Sequence, residues 1–152
     1  MSDLTACCVR PQIDTLEDRI EAYNARYERI CAQLAGCEQF HIPPISERVR
    51  PVSDSLQVNL RGMTPAQIDA FLGHTKRRGM PVGLFGSKDN ARNFRNWQYS
   101  DIATDVDFTE SMIAAAIDVR LPLSFSDEDI DQMGAVLLAA ADDTMNPPEM
   151  QA

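Results

Sequence analysis

Apolar positions recur along this chain in two different periods, and the change of period marks out the elements. Ile13, Leu16, Ile20, Tyr23, Tyr27, Ile30 and Leu34 follow one another at spacings of 3, 4, 3, 4, 3 and 4. That spacing draws one stripe along a helix, with Glu17, Asp18, Arg19, Glu21, Arg26, Glu28 and Arg29 lying off it. At 1.5 Å per residue the stripe runs roughly 35 Å, longer than a small core needs. Pro11 has no amide proton for an interior helical bond, so it starts this helix or kinks it from the preceding turn. Gly36 closes it. The pattern predicts one long helix within residues 1–36.

Beyond Gly36 the helical period disappears. FHIPPISERVRPVSD carries three prolines and no periodicity, and reads as an extended connector. SLQVNLRG alternates Leu56, Val58 and Leu60, the pattern of a half-buried strand. TPAQIDAFLGHTKRRG has both helix ends marked: Thr64 as cap, Pro65 in first position, Gly79 as stop, with Ile68, Phe71 and Leu72 facing inward. MPVGLF is a second, short apolar strand. GSKDNARNFRNWQYSD is a polar loop studded with aromatics, longer than most connections in a compact domain and so a candidate for function. FTESMIAAAID reads as a helix turning Met112, Ile113 and Ala116 inward, and VRLPL as a third strand. The last helix opens with a capping box from Ser126 to Asp129 and runs on Ile130, Met133, Leu137 and Leu138. The expected fold is α/β: a two-layer α+β sandwich whose small three-stranded sheet is packed by helices and preceded by one long N-terminal helix. Residues 1–142 form the domain, and 143–152 a frayed tail.

Charge changes the picture more than bulk composition does. Residues 1–99 hold 13 basic and 11 acidic side chains, whereas residues 100–152 hold one basic group, Arg120, and 12 acidic ones. Within the first part, residues 61–99 carry seven basic and two acidic groups. So acidic a half beside a basic patch argues against nucleic acid as a partner, because phosphate attraction follows the local field. The two halves either face one another or are separately solvated. No apolar run approaches the roughly 18–20 residues needed to span a bilayer, and no secretory apolar segment follows Met1. The expectation is a cytoplasmic protein with Cys7, Cys8, Cys31 and Cys37 reduced and serving as packing residues.

Familiar catalytic patterns are absent. His41 and His74 stand far apart with no Cys or His beside either, so no zinc site is expected. GLFGSK has two residues between its glycines and Asp89 after Lys88, which does not satisfy a phosphate-binding P-loop. The acidic run at 127–131 is accounted for by the dipole of a first helical turn. On chemistry alone the chain has no catalytic centre and no metal site.

Three segments, in order, resemble one family. MSDLTACCVRPQIDTLEDRIEAYNARYERI resembles the long helix of the DegT/StrS-type aminotransferases, fold-type I enzymes that depend on pyridoxal phosphate. RGMPVGLFGSKDNARNFRNWQY is similar to that family's R-G…F-G…W-x-Y segment, and DVRLPLSFSDEDIDQMGAVL to its closing strand and helix. The resemblance covers about residues 1–141 and places Met1 at an internal methionine of the family. It implies that this chain is the small, carboxy-terminal domain. The cofactor, its Schiff-base lysine and its phosphate cradle then belong to a large domain upstream. The only lysines here, Lys76 and Lys88, match neither role.

The resemblance implies a domain of an amino-group transferase, with a nucleotide-linked sugar as a candidate substrate. It would have no catalytic residue and no cofactor of its own, pyridoxal phosphate belonging to its full-length relatives. The alternative is a free-standing, non-catalytic module that uses its long helix for association. Either way the Ile13–Leu34 face is the expected contact, with a second copy in a homodimer or with the large domain. The substrate side would be lined by Lys88, Arg92 and Arg95 as cations and by Trp97 and Tyr99 as flat faces. The competing reading has Phe94 and Trp97 anchoring the loop to the core and the arginines solvated. Arg120, on the face of its strand opposite Val119 and Leu121, either clamps a substrate carboxylate or pairs with Asp118 or the 127–129 turn.

Overall fold

The computed structural model describes residues 2–98 and 106–147. Its elements are α1 (Asp3–Ile13), α2 (Leu16–Leu34), β1 (Phe40–His41), β2 (Ser55–Leu60), α3 (Pro65–Arg77), β3 (Gly83–Leu84), a short 3-10 turn (Phe94–Asn96), α4 (Asp107–Ala114), β4 (Ala116–Arg120) and α5 (Asp127–Met145). The strands form one antiparallel sheet in the order β1-β2-β4-β3. The α/β class is as expected, with four strands among the described residues instead of three: the additional one is β1, two residues at the head of the stretch read as connector.

The single long helix divides in two. Thr15 leaves the helical basin at φ −106°, ψ 6°, and its hydroxyl donates back to the carbonyl of Gln12 at 3.3 Å. Such a side-chain bond competes with the helical ladder, so α1 stops at Ile13 and α2 restarts at Leu16. Pro11 sits inside α1, neither starting the long helix nor marking the interruption. The apolar stripe is split accordingly. Ile30 and Leu34 are buried in the core, whereas Ile13 and Leu16 are exposed. No residue of α1 is buried.

The second revision concerns residues 116–118, expected to end a helix. They are the first half of β4. Three successive alanines, Ala114 to Ala116, favour helix, but Ile117, Val119 and Leu121 alternate and are all buried. Pairing along β2 from Asn59↔Ala116 to Ser55↔Arg120 overrides local propensity. Met112, expected to point inward, is exposed. α5 runs to Met145, beyond the boundary drawn at 142, with Thr144 buried and donating to the carbonyl of Ala140 at 2.7 Å. Residues 148–152 of the expected tail lie outside the described residues.

One face of the sheet carries the core. Leu56, Val58 and Leu60 of β2 and Ile117 and Val119 of β4 join Ile30 and Leu34 of α2, Ile68 and Phe71 of α3, and Ile130, Met133 and Leu137 of α5 in one cluster. The predicted capping box forms at Ser126/Asp129, and the Thr64 cap proves to be a capping box as well, with Gln67. α2 and α5 approach closely. A Cβ on Gly134 would stand 2.1 Å from Oε1 of Gln33, whose amide donates to Asp131 at 2.7 Å. Arg29 also bonds Asp127 at 3.1 Å and Asp131 at 2.6 Å. Its hydrogen bond holds the Asp131 carboxyl below the ordinary value of 3.8. Arg78 does the same for Asp143. The two halves of the charge asymmetry therefore face one another: arginines from the first part pair with carboxylates from the second.

Candidate functional site

The second face of the sheet and the loop after β3 carry the candidate residues. Gly86 sets where the loop begins. A Cβ there would lie 2.9 Å from the carbonyl oxygen of Ile113 and 3.0 Å from Cα of Ala114, so only glycine lets the loop pass this close to the end of α4.

Beyond Gly86 the loop is a spiral of turns with a three-residue period. The amides of Asn90, Asn93 and Asn96 donate to the carbonyls of Ser87, Asn90 and Asn93 at 3.1, 2.9 and 2.9 Å. Each turn is closed by a side chain as well. Oγ of Ser87 accepts from the Asp89 amide at 3.4 Å, Oδ1 of Asn90 from Arg92 at 2.9 Å, and Oδ1 of Asn93 from Arg95 at 3.0 Å. The Asn amide groups bond back across the spiral: Asn90 to Leu84, Asn93 to Gly86 and Ser87, Asn96 to Lys88 and Asn90. The reason is local. Asn accepts from the amide two residues on more readily than most side chains do, forming the Asx turn. The sequence repeats N-A-R, N-F-R, N-W-Q from Asn90 to Gln98.

A three-residue period puts every third side chain on one line. Arg92 and Arg95 share a line and reach carboxylates on neighbouring elements. Arg92 bonds Asp118 of β4 at 2.9 Å and lies over the Phe85 ring, 5.6 Å from its centroid. Arg95 bonds Glu110 of α4 and lies 5.3 Å from the centroid of Phe94. The Trp97 indole N–H donates to the carbonyl of Ala91 at 3.2 Å, and the ring is 41% exposed. Trp97 thus fastens the spiral to itself, and the arginines are ion-paired, a state between the two readings of the sequence. Lys88 is exposed and makes no ion pair among the described residues. Tyr99 lies outside the described residues.

Arg120 is held on both sides by its own chain, at 3.0 Å from Asp54 and 3.4 Å from Asp118. That is the arrangement of a structural tie, and it argues against a substrate-carboxylate clamp. Asp118, only 12% exposed, is a hub, although the sequence suggested it solely as a partner for Arg120. It joins Arg92 and Arg120, and its Oδ1 is buried without a partner among the described residues. The alternation of Ile117 and Val119 was the available signal, because it turns Asp118 onto the second face beside the loop.

The remaining candidates are quiet. Cys7 and Cys8 are exposed instead of packed, whereas Cys31 and Cys37 are partly buried. Burial raises the Cys31 thiol and pushes Tyr27 up to about 12, which disfavours ionisation of either. Among the described residues no group of three or more His, Cys, Asp or Glu is placed to hold a metal ion, and no helix is long and apolar enough to cross a membrane.

No protein-family profile matches the sequence, and no curated protein does either. Solved structures do match the fold. A protein described as a sugar aminotransferase from Streptococcus pneumoniae superposes in its apo form with a TM-score of 0.77 at 14% identity, covering 95% of this chain and 36% of that one. Its pyridoxal-phosphate form gives 0.76 at 15% identity with the same coverage. A DegT DnrJ EryC1 StrS aminotransferase from Brucella abortus gives 0.64 at 14% identity, over 85% of this chain and 33% of the other. 3-Amino-5-hydroxybenzoic acid synthase gives 0.63 at 14%, over 86% and 36%. The chain spans about a third of the length of the structures it matches. Its fold is that of a DegT-like aminotransferase domain.

Proposed function

We propose that this chain is the small domain of a pyridoxal-phosphate-dependent aminotransferase, acting when joined to a cofactor-bearing domain, with a nucleotide-linked sugar as the class of substrate. The observation that carries the reading is the match of 95% of this chain to 36% of the sugar aminotransferase from Streptococcus pneumoniae. Held by its asparagines, the loop is a rigid wall for such a substrate. Lys88 and Trp97 are the side chains it presents, and Arg92 and Arg95 can contribute by exchanging Asp118 and Glu110 for an anionic group. The residues of this chain do not by themselves fit the cofactor. Lys76 is exposed in the last turn of α3, and the acidic side chain that shares a cavity with Lys88, Glu110, is engaged by Arg95. Mixed with pyridoxal phosphate and reduced with borohydride, the 152-residue chain is expected to show no stoichiometric adduct at Lys76 or Lys88 by mass spectrometry. An adduct would overturn the division of labour proposed here.

A second reading, association through the N-terminal helices, is favoured by α1. Val9 and Ile13, one turn apart on a single face of α1, are 43% and 60% exposed, and Leu16 at the start of α2 is 48% exposed; apolar side chains left uncovered next to one another suit an interaction site. Sedimentation at high concentration is expected to show a dimer, and Ile13→Asp, at an exposed position, to return it to monomer. A clean monomer for the parent chain would rule out the second copy as occupant.

A further inference from the structure

We propose that the groove between the β3–β4 edge and α5 binds a flat heterocycle carrying a hydrogen-bond donor beside an acceptor, as nucleobases do. The groove encloses about 560 Å³, within the range typical of small-molecule sites, roughly 300–1,000 Å³. Its polar feature is an interrupted ladder. β3 pairs with β4 at Gly83↔Asp118 and Leu84↔Ile117. Continued by two residues, that register sets Pro81 opposite Arg120. Phe85 N–H donates to Ala116 on the β3 side, and Leu121 N–H to Asp54 on the β2 side. Residues 116, 118 and 120 therefore turn their main-chain groups towards β3. Pro81 has no N–H to give, and among the described residues no main-chain hydrogen bond joins Arg120 to that side. The next residue facing the same way is Pro122, again without an N–H.

Among the described residues, a single N–H and a single C=O, both of Arg120, are thus left on an edge bracketed by prolines. Strand addition needs a run of such pairs, so one pair is too short for a docked peptide. A ring with adjacent donor and acceptor satisfies both groups at once. The walls suit a flat body: Met80, Pro81, Phe125, Met133 and Val136 line the groove, and methionines adapt to the shape they meet. The cations at its rim are occupied, Arg120 by Asp54 and Asp118 and Arg78 by Asp143. Asp129 on the same wall is held by Ser126, so recognition falls on the main chain of Arg120, with the Gln132 amide beside it. The groove has this chemistry whether or not the chain serves an aminotransferase.

Titrating uridine into the 15N-labelled full chain is expected to give saturable shifts at the amides of Arg120, Gly83 and Met133. N3-methyluridine, which keeps the ring but loses the donor, should bind about tenfold more weakly. Val136→Trp fills the groove and should abolish binding. Arg120→Ala keeps the main-chain groups and should leave Kd within about threefold, since Asp118 keeps its pair with Arg92 and the pair with Asp54 is exposed. The proposal is overturned by no saturable shift at Arg120 up to millimolar uridine, by equal binding of the methylated base, or by loss of binding in Arg120→Ala. Should Val136→Trp fail to fold by circular dichroism, the methylated base still decides.

Discussion

Replacing Phe71 with alanine is expected to lower the unfolding free energy by about 3–5 kcal/mol. Phe71 is fully buried in α3 and meets Phe40 of β1 edge to face, with ring centroids 6.0 Å apart and an interplanar angle of 65°. α3 packs on α5, and β1 closes the sheet beside β2, so the ring joins the helical layer to the outermost strand. Truncation loses the transfer energy of the ring and leaves a cavity that regular elements on both sides cannot fill. Domains of this size have about 5–15 kcal/mol in all, so a large share of the stability is at stake. Phe71→Leu, which keeps most of the volume, should cost under about 1.5 kcal/mol. Urea unfolding separates the two: the midpoint falls steeply for alanine while the slope stays constant. A loss below about 1 kcal/mol for alanine, well under the range for a buried ring, would mean that α3 and β1 are not packed as described.

Where local chemistry and tertiary packing agree, the fold was legible from residue types alone. Thr64 with Pro65, and Ser126 with Asp129, placed the starts of α3 and α5 because capping depends on a few adjacent residues. Leu56, Val58 and Leu60 placed β2 because one of its faces is buried. The failures share a cause: the deciding partner is distant in the chain. Ala115 and Ala116 favour helix until β2 supplies a ladder. Phe40 and His41 look like connector until Leu60 and Asn59 pair with them. The stripe from Ile13 to Leu34 is continuous in sequence, yet Thr15 interrupts the backbone that should carry it.

The candidate site shows the same division. Loop length and the mixture of cations with aromatics pointed to residues 86–99, and Arg92, Arg95 and Trp97 do sit together on one ordered spiral. That the arginines are engaged was not legible, since Arg92 finds Asp118 26 positions away and Arg95 finds Glu110 15 positions away. The N-x-R repeat, by contrast, was present in the sequence to be read. An asparagine every third residue is a local signal for successive Asx turns, and it foretells an ordered loop without reference to any distant partner.

That repeat leads to the second large expected effect, at Asn93. Its side chain is 7% exposed. It donates to Gly86 and Ser87 at 3.1 and 3.3 Å and accepts from Arg95 at 3.0 Å. Asn93→Ala leaves the Gly86 carbonyl and the Arg95 amide in search of partners, while the Ser87 carbonyl keeps the Asn90 amide, at a cost of about 1–3 kcal/mol at a buried position of an otherwise exposed loop. The loss should be local. Trp97, the sole tryptophan, should shift its emission to the red, and the amides of Arg95 and Asn96 should exchange faster while those of β2 stay protected. Asn93→Asp keeps the acceptor and loses both donors, so it should recover only the Arg95 turn. The ion pairs give the contrast. Arg92 and Arg95 are 43% and 48% exposed, and pairs of that kind contribute about 0–1 kcal/mol. Arg92→Gln and Arg95→Gln should therefore leave the emission of Trp97 nearly unchanged. If either arginine variant loosens the loop as much as Asn93→Ala does, the charges hold the spiral and the asparagine ladder does not. A loop that frees its arginines in that way would meet an anionic substrate by induced fit and not as a preformed wall.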